Sequence, residues 1–199
     1  MSGTEMTGRG PLDAAFDDAL ATLSSPRPVI PSDRATVPPA PGLYALYATA
    51  EGLADLGLDQ HSAGRPIYVG KSQSSLRTRT LGTHFRTGRT GHSTVRRSLA
   101  ALLQENLDLT AVQRPGKGHP TNFSIAAPGD ARLTEWMFTH LRLACWACPD
   151  GLHLPVFETA VIRHWCPPMN LDHAGIVWPL LVERLADMRR QMPQHHGSS

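Results

Sequence analysis

The chain predicts an α+β domain in which a small antiparallel or mixed sheet is covered by helices. Two short, aromatic-rich apolar runs, Leu43–Tyr47 and Pro66–Gly70, have strand character. Several longer stretches instead repeat apolar residues at helical spacing. A length of 199 residues suits one respectable core rather than several.

Each element follows from its residues. The Gly/Ser/Thr-rich stretch 1–11 predicts disorder. Leu12, Ala15, Phe16, Ala19, Leu20 and Leu23 make 12–23 an amphipathic helix, able to pack on the body or to serve a partner. Prolines 26, 28, 31, 38, 39 and 41 then stiffen 24–41 into an extended connector. After the first strand, a helical turn fits at Leu53–Leu58, and Leu76–Phe85 reads as a helix carrying Arg77 and Arg79. Ser93 or Thr94 caps a stronger helix with Val95, Leu99, Leu102 and Leu103 on one face. Pro115–Pro120 reads as an exposed loop and Phe123–Ile125 as a strand. Asp130 opens a helix with Leu133, Trp136, Met137, His140 and Leu141 inward, followed by a strand at Leu143–Trp146. Leu154–Trp165 is a helix entered through Pro155 and ended by Pro167-Pro168. A last amphipathic helix spans Trp178–Met192.

Composition narrows the class. Hydrophobic content of 41% and charged content of 18% are those of a globular protein. The absence of a membrane-length apolar run and of a basic-then-apolar start leads to the expectation of no membrane partner and a cytoplasmic location. Three cysteines cannot form a fully paired disulfide framework, which fits a reducing compartment. Net charge is only +2, but the distribution is uneven: between Gln60 and Gln104 there is no acidic residue, while Arg65, Lys71, Arg77, Arg79, Arg86, Arg89, Arg96 and Arg97 lie there. Such a cluster is the footprint of a phosphate-backbone surface, or else a solvated face balanced by acids from elsewhere in the fold.

Chemistry enters through an ordered set: Gly42-Leu43-Tyr44, Tyr68-Val69-Gly70-Lys71-Ser72, Leu76 with Arg79, and Glu158 ahead of Pro168 and Asn170. Phosphodiester hydrolysis requires an activated water, a Lewis acid for the leaving oxygen and positive charge for the transition state. Glu158 flanks the apolar stripe Leu154, Phe157, Val161 and Trp165, where a carboxylate needs a cation or donors. Its alternative role is an acid favoured by the dipole of the first helical turn. Arg79 offers a guanidinium matched to phosphoryl oxygens, with Arg77 its competitor two positions away. The alternative for Tyr44 and Tyr68 is aromatic packing within strands.

This set resembles the GIY-YIG nuclease family over about Pro41 to Leu171. The resemblance implies a small three-stranded antiparallel sheet flanked by helices. It also implies a metal-dependent endonuclease that hydrolyses DNA phosphodiesters through an activated water on one Mg2+ or Mn2+. Glu158 would hold the metal and Arg79 the phosphate. Tyr44 and Tyr68 would border the scissile phosphate, one of them, Tyr44 for preference, orienting or deprotonating the water. A phenol with an ordinary pKa near 10 needs Lys71 and Arg79 to lower it, and His84 is a rival base. Gly70 would allow close approach to a ligand or the next element. Asn170 would tie its loop near the site, and Arg77, Arg86, Arg89, Arg96 and Arg97 would contact the backbone of DNA, most naturally a duplex. Cutting of palindromic sites would call for a homodimer.

The implied organisation is a leading segment over 1–41, a nuclease domain over 42–175 with an insertion at about 87–150, and a C-terminal helix and tail over 176–199. Two other readings compete: a non-catalytic nucleic-acid-binding module with this fold, and the fold turned to a small-molecule reaction. A zinc site from Cys145, Cys148, His153, His164 and Cys166 is a weaker rival, since only the first pair has ligand spacing. Small buried cysteines are the simpler account, and His195-His196 carries no pattern.

Overall fold

The computed structural model describes residues 10–30, 32, 34–58, 63–114, 122–171 and 178–192. The start at 1–9, the loop at 115–121 and the two histidines at 195 and 196 lie outside these residues. Within them the order is α1 (Pro11–Leu23), β1 (Arg27–Pro28), β2 (Gly42–Ala48), α2 (Ala50–Asp55), β3 (Tyr68–Ser72) and α3 (Leu76–Arg79). A π-helical turn at Thr80–His84 follows directly, then α4 (Thr94–Leu102), β4 (Ala111–Gln113), β5 (Phe123–Ile125) and α5 (Ala127–His140). β6 (Leu141–Ala147), α6 (Leu154–Trp165) and α7 (Pro179–Arg190) complete the chain.

The main sheet runs β1-β6-β2-β3 and is antiparallel throughout. Three full strands form it, as expected; the two-residue β1, read from the sequence as connector, adds a short fourth at the β6 edge. β2 is central and every one of its residues is buried. Alternation sends Tyr44, Leu46 and Ala48 into a core shared with α4, α5 and α7, while Leu43, Ala45 and Tyr47 join a second core under α1 and α6. The result is helices on both faces of one sheet.

Two boundaries differ from the sequence reading. β6 falls inside the segment expected to be an insertion, yet it is the strand next to β2, so the elaboration ends at His140 rather than near 150. α5 begins at Ala127 rather than Asp130, because Pro128 sits in the first turn, where its missing N–H costs nothing.

The leading helix packs back on the body. Ala19 and Leu23 are fully buried, Trp146 Nε1 donates to Asp18 at 2.7 Å, and Tyr47 Oη donates to the Leu23 carbonyl at 2.8 Å. At the other end α7 buries Leu181, Leu185 and Met188 and is tied across to the α4 end by Arg184–Glu105 and by Gln104–Gln191.

The glycines of the two tripeptides are set by crowding. A Cβ on Gly42 would lie 2.1 Å from the Trp146 carbonyl oxygen. On Gly70 it would lie 2.5 Å from the Tyr44 hydroxyl, because Tyr44 stands directly opposite Gly70 in the β2–β3 register. Gly70 therefore makes room for a tyrosine of this chain rather than for a ligand.

Candidate active site

β3 is the free edge of the sheet, and the site is assembled around it. Asn170 caps that edge: its Nδ2 donates to the Val69 carbonyl at 2.7 Å, and its Oδ1 accepts from Val69 N–H at 2.8 Å. A buried strand edge leaves backbone groups that require partners, and one amide supplies both. Met169 N–H adds a bond to the Ile67 carbonyl at 3.0 Å, so the segment after α6 is laid along β3. Asn170 thereby ties the segment after α6 to β3.

Beside this edge lies a cleft of about 280 Å³ lined by Tyr68, Thr94, Ser98, Glu158, Asn170 and Arg189, among others. Glu158 reaches it from α6 on one face of the sheet and Tyr68 from the other. Glu158 is only 8% exposed and forms an ion pair with Lys71. A carboxylate so buried requires a partner, and at present the ammonium provides it.

Behind Tyr68 lies Tyr44, buried to 1% exposure, their ring centroids 6.1 Å apart. The offset follows from the register, which pairs Tyr44 with Gly70 and Tyr68 with Leu46, making the two phenols diagonal neighbours on one face. The Tyr44 hydroxyl is 2.7 Å from His84 Nε2, and His84 Nδ1 is 2.7 Å from Ser93 Oγ. Ser93 also accepts the Arg96 N–H at 3.0 Å as the N-cap of α4. A capping serine thus orients the imidazole.

Arg79 joins this group through the π-helical turn. Phe85 N–H donates to the Thr80 carbonyl five residues back at 2.9 Å. Five residues around a regular helix fall on different sides, whereas the wider turn brings Arg79 and His84 to the same side. The sequence reading of one continuous helix over 76–85 missed this, although it named both residues.

Burial and the neighbouring Tyr68 push the Tyr44 phenol well above its ordinary value, and Arg79 pulls it back only in part. The expectation that cationic neighbours would make Tyr44 acidic is thus reversed, because desolvation of a phenolate outweighs them. Burial, then Arg79 and Arg96, hold His84 well below the usual imidazole range, so it is neutral at pH 7. The two candidate bases are therefore one hydrogen-bonded unit, a protonated phenol against a neutral imidazole.

The sign of the resulting pH dependence is set by these shifts. The unfolded chain protonates His84 below about pH 6.5, where the folded chain does not. The unfolded state then binds more protons, so stability falls as pH drops through that value. Tyr44 acts oppositely, its contribution being lost as pH rises beyond about 10, the unfolded phenol value. Chemical denaturation across pH is expected to show an acid limb that flattens in His84→Gln; an unchanged limb would contradict the buried neutral imidazole.

The remaining arginines separate into different roles. Arg96 does not extend a basic surface. It is fully buried, donates from Nε to Thr90 at 2.9 Å, from Nη1 to the His84 carbonyl at 3.0 Å and from Nη2 to Thr134 at 2.9 Å, and pairs with Asp130 at 3.0 Å. Asp130 in turn accepts from Thr90 and from Gly88 N–H. This network fastens the elaboration to the π-helical turn. Arg96→Met leaves the Asp130 carboxylate buried and unpaired, and equilibrium unfolding is expected to show a loss of about 3–5 kcal/mol.

Arg77 is spent on the connector, its Nε donating to the Val37 carbonyl at 2.9 Å. Arg86 and Arg89 line a separate groove with Arg34, Thr87 and Phe138. Arg97 lies half-buried on α4, with Nη1 on the Gly91 carbonyl at 3.1 Å. The cysteines are free thiols, Cys145 sits in β6 with its thiol pushed up to about 12 by burial, and among the described residues no group of three or more His, Cys, Asp or Glu is placed to hold a metal.

Two residues escaped the sequence reading: Ser93, which bonds His84, and Arg189, which lines the cleft. Ser93 was visible only as a cap, and Arg189 only as one cation in the last turn of an amphipathic helix.

Comparison with protein-family models finds a match to the GIY-YIG catalytic domain over residues 46–191. Neither the curated proteins nor the solved structures contain a match to this chain.

Proposed function

From a chain that belongs to the GIY-YIG nuclease family, we propose a metal-dependent endonuclease that hydrolyses DNA phosphodiester bonds with an activated water. The observation that carries this reading is a cleft at the β3 edge lined by the buried Glu158 and by Tyr68, with Tyr44, its partner His84 and Arg79 grouped behind Tyr68.

The donor set suits a hard divalent cation such as Mg2+ or Mn2+. Such ions take oxygen ligands and are commonly held by one or two carboxylates, with substrate phosphate and water completing the shell. Glu158 is the carboxylate of the cleft, buried and ion-paired with Lys71. A bound cation supplies Lewis acidity at the phosphate and the leaving oxygen.

The chain's own residues account for the proton and the charge. Tyr68 lines the cleft and orients the incoming phosphate and water. Tyr44 passes its proton to neutral His84 Nε2 as it takes one from the water, over the 2.7 Å hydrogen bond. His84 is a weak acceptor alone, since Arg79 and Arg96 oppose a third positive charge. A phosphate drawn in beside Arg79 offsets that repulsion, so the acceptor strengthens once substrate is bound. Arg79 then stabilises the charge that develops on the phosphoryl oxygens.

The test is incubation of the purified chain with Mg2+ or Mn2+ and a panel of duplex, branched and single-stranded DNA. Nicks or cuts dependent on the added metal are expected. DNA left intact across the panel would remove the nuclease reading, and binding without cutting would replace it with that of a non-catalytic module. Cleavage of both strands at a palindrome would call for two centres, and so for two copies of the chain.

A further inference from the structure

Three arginines from different elements converge beside the cleft without any need of the catalytic groups. Arg97 of α4 and Arg114, just after β4, grip the same residue. Arg97 Nη1 donates to the Gly91 carbonyl at 3.1 Å, while the Arg114 stem lies so close that a Cβ on Gly91 would stand 2.9 Å from its Cγ. Arg114 Nη2 is 3.0 Å from His92 Nδ1, and Arg97 Nη2 lies 3.4 Å from Thr94 Oγ1. Thr94 lines the catalytic cleft, and so does Arg189 from the last turn of α7.

Among the described residues, neither Arg97 nor Arg114 has a carboxylate partner, and Arg114 Nε is buried without a hydrogen bond. The groups act on one another electrostatically: Arg97 is pulled below its ordinary range by burial and then by Arg189, Arg114 and Arg79. His92 is likewise lowered by burial, then by Arg114, Arg89 and Arg97. Arg97 and Arg114, two like charges held against one glycine, cost free energy unless an anion joins them. The guanidinium fork, the neutral imidazole and the neighbouring threonine are donors suited to phosphate oxygens.

We propose that Arg97, Arg114 and Arg189 form a second phosphate subsite, which holds a backbone phosphate of the nucleic acid adjacent to the one being cleaved. The inference rests on the nuclease reading for its ligand but not for its chemistry. The subsite positions the strand; the reacting phosphate remains with Arg79 and Glu158. It also gives the C-terminal helix a task, since α7 carries Arg189 into the cleft by docking on α4.

The experiment measures binding of a short duplex DNA oligonucleotide to the full chain carrying Glu158→Gln, as a function of salt. Arg114→Gln and Arg189→Gln are each expected to make the slope of log K against log salt shallower by about 0.9, the loss of one phosphate contact. Arg27→Gln, on β1 at the opposite edge of the sheet, is expected to leave it unchanged. The Arg→Lys versions keep the charge and are expected to restore the slope, which a folding defect would not do. Slopes in Arg114→Gln and Arg189→Gln equal to that of Arg27→Gln would overturn the subsite, as would a chain that binds no duplex at any salt.

Cleavage by the otherwise unaltered chain decides the nuclease reading separately. Cutting with unaltered slopes removes the subsite and keeps the nuclease. Shallower slopes in a chain that cuts nothing do the reverse.

Discussion

Glu158→Gln is expected to lower cleavage on the order of a thousandfold or more while leaving duplex binding nearly intact. The substitution keeps the size and hydrogen-bonding capacity of the side chain of a residue that is only 8% exposed, and removes its charge. If Glu158 served only to neutralise Lys71, the loss of charge would cost stability and little else. If it holds the cation, raising Mg2+ or Mn2+ does not restore the rate, because the remaining amide is a poor ligand for a hard ion. Single-turnover cleavage with saturating enzyme separates the two outcomes. A variant that folds, binds DNA and cuts at a rate near that of the original chain would remove Glu158 from the reaction.

The second large effect concerns the phenol–imidazole pair. Tyr44→Phe and His84→Gln are each expected to reduce single-turnover cleavage by about 10²–10⁴-fold. The double substitution is expected to lose no more than the larger single one. Two groups that carry one proton along a 2.7 Å hydrogen bond are a single device, and removing either end disables it. Additive losses would mean that the two residues act independently. Tyr68→Phe serves as a comparison, since Tyr68 faces the cleft and its loss is expected to raise KM as well as to lower kcat.

The legibility of these groups in the sequence varied with the range of the interactions involved. Tyr44 and Tyr68 stood in short apolar runs flanked by glycines, and the strand assignments of both hold. The local pattern could not tell that Gly70 lies opposite Tyr44, since that depends on the register of β2 with β3, which pairs these two residues, 26 positions apart. Gly70 was read as allowing close approach of a ligand or of the next element, and its neighbour proves to be Tyr44 of the adjacent strand.

Arg96 shows the same limit from the other side. Within its window it was one cation among eight with no acid nearby, and so read as surface. Asp130, its partner, is 34 residues further along the chain. A charge count confined to a stretch of sequence cannot find such a partner, and burial then changes the role from phosphate contact to internal tie. The shift of Tyr44 upward rather than downward has a similar origin: the cations beside it were legible, and the depth of its burial was not.

Local chemistry was enough to establish the α+β class, the helices at Leu154–Trp165 and near Val95–Leu103 and the family resemblance, and to nominate the candidate site residues. Helical periodicity, capping serines and the order of short motifs are properties of neighbouring residues, and survive without a fold. Tertiary packing alone decided how those groups work. It joined Tyr44 to His84, bent the Arg79 segment into a π-helical turn, set Glu158 against Lys71 and carried Arg189 into the cleft. Each of these depends on which surfaces are buried together, and burial sets both the distances and the ionisation of the groups that meet there.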